Sequence, residues 1–119
     1  MLFRSSTGGG GGGGNPPPPP PDDPNCDVHS DGKLYCTNAA GAPIHSSPTN
    51  SSSVVNYLRT TTSWFTCWKT GDLHAGGNHT WYYTEGDDNT NWGYVPAVDL
   101  NTTSEFDSNP TAHGLAACP

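Results

Sequence analysis

Two loop segments hold the aspartate and histidine side chains that are best suited to acid–base or metal chemistry. Asp72, His74 and His79 lie in one glycine-rich segment, and Asp87 and Asp88 lie in a second. Carboxylates and imidazoles transfer protons and bind metal ions when a fold brings them together. The Asp-x-His spacing is common by chance, and no third strong ligand follows at a diagnostic spacing. We interpret these residues as loop polarity, and we predict no catalytic residue, no metal site, no cofactor and no enzymatic activity.

The chain contains four cysteines, Cys26, Cys36, Cys67 and Cys118. An even number in a small chain rich in loops indicates two disulfides and an oxidising, extracellular location. We favour a Cys26–Cys36 pair, because Ser30-Asp31-Gly32 places a turn midway between them, and a Cys67–Cys118 pair. A metal site is the alternative, and the lack of a Cys-x-x-Cys pair argues against it. A nucleophilic role for Cys67 would need an electropositive setting and a positioned histidine.

Aromatic residues give the sequence its clearest binding signal. Exposed rings stack on sugars or peptides and form interface hot spots, whereas buried rings build a core in a chain with few aliphatic residues. We expect Trp64, Trp81 and Tyr94 to be largely buried. The candidates for a ligand-binding surface groove are Trp68, Tyr83 and Trp92.

The charge of the chain excludes several partner classes. The formal net charge is −7, and the sequence has only four Lys and Arg residues. A nucleic-acid-binding protein needs clustered basic residues to displace counterions from phosphates. We therefore predict no nucleic-acid partner and no binding to an anionic membrane. No stretch is long and apolar enough to span a bilayer.

The elements that must position these residues are short strands. Trp81 to Val95 reads as two strands around the turn Gly86–Asn89, because aromatic residues suit a pleated surface and Gly, Asp and Asn suit turns. Trp64 to Trp68 reads as one strand that presents both tryptophans on the same face. Pro96 to Leu100 predicts a 3₁₀ turn before a last strand. Asn101 to Pro119 reads as a polar tail held by the last cysteine.

The first 24 residues have a composition that cannot form a globular core. Gly8 to Gly14 predicts a flexible segment, and Pro16 to Pro21 predicts stiff polyproline II helix. We predict an extended Gly/Pro-rich arm over residues 1–24 and one small domain over residues 25–119. A spacer is the simplest role of the arm.

A docking role for the arm is the sharper hypothesis. In that reading, residues 1–24 contact a large protein assembly, and the candidate contact residues are Leu2, Phe3, Pro16 and Pro21. Glycines, rather than the apolar run of a signal peptide, follow the first seven residues. We therefore expect either earlier removal of a signal or release without one, as for virion proteins that are freed by lysis.

Residues 42–100 carry an ordered set of motifs that resembles bacterial SH3 (SH3b) domains. The opening consists of Ile44-His45-Ser46-Ser47-Pro48, Ser52-Ser53-Val54-Val55 and Leu58, and the ending consists of Trp81-Tyr82-Tyr83-Thr84, Gly93-Tyr94-Val95 and Leu100. Residues 26–118 are also similar to small secreted SH3-like proteins of actinobacteria. The chain departs from the SH3b pattern in its cysteines, its inserted loop Lys69 to Asn78 and a missing arginine. The resemblance implies a small β-barrel with a binding role, often towards bacterial cell walls.

These observations predict an all-β fold, namely a small SH3-like β-barrel with two disulfides that follows a Gly/Pro-rich arm. The predicted function is that of a non-catalytic extracellular binding module that recognises a bacterial cell-surface polymer or peptide. The alternative is a structural or decoration protein of a large assembly, such as an actinobacteriophage virion, docked through the arm. A third option is a secreted inhibitor or a toxin-associated module.

Overall fold

The computed structural model describes residues 26–119, which contain eight strands and one short helix. The strands are β1 (Cys26–Val28), β2 (Leu34–Thr37), β3 (Ala42–His45), β4 (Val54–Leu58), β5 (Thr62–Phe65), β6 (Cys67–Thr70), β7 (Thr80–Glu85) and β8 (Trp92–Pro96). The helix α1 spans Ser104–Ser108, and 3₁₀ turns span Ala97–Asp99 and Pro110–His113. The predicted arm, its candidate contacts Leu2, Phe3, Pro16 and Pro21, and the domain boundary after residue 24 lie outside the described residues.

The strands form two antiparallel sheets. One has the order β1-β2-β5, and the other has the order β4-β3-β8-β7-β6. The predicted β-rich class is therefore confirmed. Within residues 26–119 the sheets remain open and do not close into the predicted barrel, because β5 ends one sheet as an edge strand and β6 ends the other.

The stretch from Trp64 to Trp68 is not the single strand that the sequence predicts. Strands β5 and β6 lie on either side of Thr66, whose N–H donates to the carbonyl oxygen of Tyr83 at 3.0 Å. Trp64 belongs to the three-stranded sheet, whereas Trp68 lies in the five-stranded sheet opposite Tyr82. The alternation of faces assumed for one strand therefore fails across this break.

The core joins side chains from both sheets. Leu34 and Phe65 of the three-stranded sheet belong to the same fully buried cluster as Ile44, Tyr82 and Val95 of the five-stranded sheet. Burial of each large apolar side chain contributes about 1.5–3 kcal/mol. The core uses one face of the β7–β8 hairpin, so the opposite face is left for other contacts.

Two disulfides close the fold, with the predicted pairing. Cys26 bonds to Cys36 across the β1–β2 hairpin, where the two residues lie directly opposite each other. Cys67 at the start of β6 bonds to Cys118, which is 51 positions further along the chain. Disulfides persist in oxidising environments, so this pair indicates an extracellular type of setting.

The C-terminal segment is more structured than the predicted polar tail. The hydroxyl of Thr103 accepts a hydrogen bond from the Phe106 N–H at 3.1 Å and caps the first turn of α1. Leu115 is fully buried in the core. The predicted 3₁₀ turn is confirmed at Ala97–Asp99, but a single bridge between Asn38 and Leu100 replaces the strand expected after it.

A buried carboxylate ties this segment to the sheet. Asp107 of α1 accepts hydrogen bonds from the Tyr82 hydroxyl at 2.6 Å and from the Asn78 side-chain amide at 3.1 Å. Burial is the main cause that raises the pKa of Tyr82 far above its usual range, and the neighbouring carboxylate adds to it. The tyrosine therefore acts as a hydrogen-bond donor.

Among residues 26–119, no helix has the length and apolar character needed to cross a membrane.

Candidate binding surface

The outer face of the β7–β8 hairpin carries aromatic side chains away from the core. Tyr83 lies opposite Tyr94, and Glu85 lies opposite Trp92. Directly opposed residues in an antiparallel pair share one face of the sheet. Tyr82, the neighbour of Tyr83 along β7, is fully buried on the inner face. The register therefore places Tyr83, Trp92 and Tyr94 together on the outside.

Four rings form a contiguous patch that we call the aromatic strip, which consists of Trp64, Tyr83, Trp92 and Tyr94. Between neighbouring rings, the centroids are 4.9 Å apart for Tyr94–Tyr83, 5.4 Å for Tyr83–Trp92 and 5.5 Å for Trp92–Trp64. The Tyr83 and Trp92 rings are stacked, with 29° between their planes. Trp92 is 40% exposed, and the other three rings are half-buried. Rings in such contact present a rigid apolar surface to a ligand.

The candidate groove residues do not share one surface. The structure brings Tyr83 and Trp92 together but places Trp68 beside Tyr82, where its side chain packs against the core. The Trp68 indole N–H donates to the Thr111 hydroxyl at 3.0 Å. The break between β5 and β6 is the reason, because it turns Trp68 towards the inner face.

Three other rings were predicted to be largely buried. Trp81 is fully buried, as predicted. Trp64 and Tyr94 are half-buried, and neither belongs to the fully buried core. Each of them contacts a neighbour in the aromatic strip rather than the core cluster.

Trp81 lies on the same outer face as the aromatic strip, yet it is covered. It sits opposite Pro96 in the hairpin, and its indole N–H donates to the carbonyl oxygen of Asp72 at 3.0 Å. The rings of His74 and His45 meet the Trp81 ring edge-on, with centroids 5.9 and 5.6 Å away. The loop 71–79 thus covers one half of this face and leaves the aromatic strip open.

Asn56 of β4 holds the turn that precedes Trp92. Its side chain is 2% exposed, and its amide donates to the carbonyl oxygens of Asn89 and Asn91 at 3.0 Å each. Its side-chain oxygen accepts from the N–H of Asp88 at 3.1 Å. Sequence reasoning missed this residue, although an amide within the apolar run Val54 to Leu58 was a possible signal. A buried amide bonded to the backbone fixes the turn and, through it, the position of Trp92.

Charged side chains flank the aromatic strip. The Lys33 ammonium lies 4.6 Å from the centroid of the Trp64 ring, within cation–π range. Glu85 lies on the same face as Trp92. On the far side of the turn, Arg59 donates to both carboxylate oxygens of Asp88 at 2.8 and 2.6 Å, which lowers the pKa of that carboxyl. Opposite charges at different points of the strip give a ligand an orientation.

The residues considered for chemistry have structural roles. His74 is buried, donates from Nε2 to the carbonyl oxygen of Thr80 and accepts at Nδ1 from the N–H of Gly76. Asp72 and Asp87 accept hydrogen bonds from backbone N–H groups of neighbouring loops. In the part of the chain that the structure describes, no group of three or more His, Cys, Asp or Glu side chains is placed to hold a metal ion.

The motifs that resemble SH3b domains lie in the five-stranded sheet. The opening set covers β3 and β4, and the ending set covers β7 and β8. Gly93 of the ending set has a packing reason, since a Cβ atom there would overlap the carbonyl oxygen of His45 and the side chain of Ile44. The family assignment stays a prediction. In comparisons with known proteins, no family model, no curated protein and no solved structure matches this chain.

Proposed function

We propose that this protein is a non-catalytic extracellular binding module whose ligand-binding surface is the aromatic strip. The observation that carries the proposal is the stack of Tyr83 on Trp92, in which Trp92 stays 40% exposed while buried Asn56 fixes the turn before it. A ring held in place before binding loses little conformational entropy when a ligand arrives. Such rings supply much of the free energy at binding sites.

The proposed ligand is a polymer or peptide of the bacterial cell surface. The tilted rings of the aromatic strip suit the flat apolar faces of sugars or of peptide side chains, and Lys33 and Glu85 offer opposite charges beside them. The SH3b-like motifs of residues 42–100 support the same ligand class, because that family often binds cell walls. The net charge of −7 disfavours nucleic acid as a partner.

Retention on purified actinobacterial cell walls tests this function. We expect the full chain to be retained and Trp92→Ala to lower its affinity at least about 10-fold, a change of about 1.4 kcal/mol. Leu73→Ala is the matched control, because Leu73 is 57% exposed and lies outside the aromatic strip. Retention that is lost equally in both variants, or that is absent in the unmodified chain, contradicts the proposal.

The alternative role in a large assembly has a separate readout. If the chain is a decoration protein docked through residues 1–24, deletion of those residues abolishes its incorporation into particles. The aromatic strip lies within the described domain, so Trp92→Ala leaves incorporation unchanged in that case. Incorporation that depends on Trp92 rather than on residues 1–24 would favour the strip as the docking surface.

A further inference from the structure

We propose that the aromatic strip is the docking site of the proline run Pro16–Pro21 of the same chain. The inference concerns a second occupant of the surface named above, and it does not require that cell-wall material bind there. Proline-rich segments in polyproline II conformation bind grooves that are lined by aromatic rings, because they are stiff before binding.

The proline run is long enough to cover the strip. Tyr94 and Trp92 lie two residues apart on the same face of β8, about 7 Å along the strand, and Tyr83 contacts both rings from β7. The centroid of the Trp64 ring lies 5.5 Å from that of Trp92. Six residues of polyproline II cover about 19 Å at about 3.1 Å per residue. One run of six prolines is therefore long enough to contact all four rings.

The two tryptophans of the strip, Trp64 and Trp92, also have free hydrogen-bonding capacity within the described residues. The indole N–H groups of Trp68 and Trp81 donate to Thr111 and to Asp72. Within residues 26–119, the indole N–H groups of Trp64 and Trp92 have no hydrogen-bond acceptor. Polyproline II has no internal hydrogen bonds, so its carbonyl groups are open acceptors, and an indole N–H can only donate. The strip thus offers the donors that a proline run requires.

The chain can reach the strip from where the described residues begin. Asp27 of β1 lies opposite Tyr35 of β2, and Tyr35 lies opposite Trp64 of β5. Two strand spacings of about 4.8 Å therefore separate β1 from the near end of the strip. Residues 22–25 span up to about 14 Å when extended, which is enough to place Pro21 at Trp64.

Charge favours one direction of docking. Two carboxylates, Asp22 and Asp23, follow directly after Pro21. Lys33 lies over the ring of Trp64, at the end of the strip nearest to β1. Docking with Pro21 at Trp64 brings the acidic pair towards the ammonium group and leaves Pro16 near Tyr94. The tether also keeps the run at a high effective concentration near the strip.

The indole N–H resonances of the full chain in ¹H–¹⁵N NMR spectra test the inference. The test variant replaces Pro17, Pro18, Pro19 and Pro20 by Ser, and the matched control replaces Gly9, Gly10, Gly11 and Gly12 by Ser. We expect the proline variant to shift the resonances of Trp64 and Trp92 and to leave those of Trp68 and Trp81 in place. The glycine control leaves all four unchanged.

Two results overturn the inference. Indole resonances of Trp64 and Trp92 that are identical in the proline variant and the unmodified chain show that the run does not occupy the strip. Shifts that disappear on dilution show that the occupant is the arm of another copy. Neither result depends on cell walls, so this inference and the proposed function fail independently. If both hold, the proline variant binds cell walls more tightly than the unmodified chain, because its strip is uncovered.

Discussion

The outer face of the β7–β8 hairpin divides into two halves that share a strand pattern and differ in exposure. In the covered half, Trp81 is fully buried beneath the loop 71–79. In the open half, Trp92 is 40% exposed and stacks on Tyr83. All three rings project from the same face of the same two strands. The loop that directly precedes β7, and not the strand pattern, decides which ring is buried in the fold and which is open to a ligand.

Both halves depend on a buried polar side chain that binds backbone groups. In the covered half, His74 bonds to Thr80 and Gly76 and stands edge-on against Trp81. In the open half, Asn56 binds the turn that leads to Trp92. Buried polar groups with satisfied hydrogen bonds hold a loop in one arrangement. Each half is therefore anchored by a buried polar side chain, and exposure is their main difference.

Matched alanine substitutions in the two halves give the largest expected effect. We expect Trp81→Ala to lower the free energy of unfolding by about 3–5 kcal/mol, because it leaves a large cavity under the loop 71–79. Trp92→Ala should lower it by less than about 1 kcal/mol, since its ring is partly in water. Urea unfolding of the full chain, followed by circular dichroism, measures both values. Similar losses in the two variants would mean that the open half also belongs to the core.

Removal of the Asn56 anchor has the next largest expected effect. Asn56→Ala leaves the carbonyl group of Asn89 and the N–H of Asp88 without their partner, and the carbonyl group of Asn91 keeps only the N–H of Gly86. We expect a loss of about 1–3 kcal/mol in unfolding free energy. The control is Asn91→Ala, because the side chain of Asn91 is exposed and donates one bond at 3.1 Å to Val55. The control should change stability by less than about 0.5 kcal/mol.

Cell-wall retention of the Asn56→Ala variant tests whether the buried amide positions Trp92 in the open half. If the anchor positions Trp92, cell-wall retention falls in Asn56→Ala under conditions in which the variant stays folded. A variant that loses stability but keeps full retention would show that Trp92 finds its position without the buried amide. In that case Asn56 stabilises the turn but does not determine the position of the rings in the aromatic strip.

Local sequence signals predicted the elements that depend on neighbouring residues. The hairpin from Trp81 to Val95, the turn between its strands and the β-rich class follow from residue type and alternation. The disulfide pairing followed from the turn at Ser30-Asp31-Gly32. The break at Thr66 was not predicted, because a residue at which the chain leaves one sheet for another has no local signature.

The aromatic strip was predicted only in part for the same reason. Tyr83 and Trp92 were proposed together as surface residues, and their register within one hairpin made that possible. Trp64 belongs to the other sheet, so its contact with Trp92 is a tertiary contact that local sequence does not predict. Tyr94 was expected to be largely buried, and its place in the strip was not predicted, because alternation does not say which face of a sheet a loop covers. Exposure depends on how loops and the second sheet pack, which residue type and alternation do not specify.

The smallest expected effect concerns Asp99, beside the covered half. Burial raises the pKa of Asp99 above its ordinary value of 3.8, and His45 and His74 partly offset this. Because the pKa of Asp99 is higher in the folded state, its neutral carboxyl contributes stability in full below pH 3.8, and this contribution is lost as the pH rises through the folded-state pKa. At pH 7 the ionised carboxylate therefore destabilises the fold. Asp99→Asn should raise the free energy of unfolding at pH 7 by less than about 1 kcal/mol, because solvent screens this half-exposed group. Urea unfolding at pH 7 and near pH 3.5 checks this, and a gain of equal size at both pH values would mean that the charge of Asp99 is not the cause.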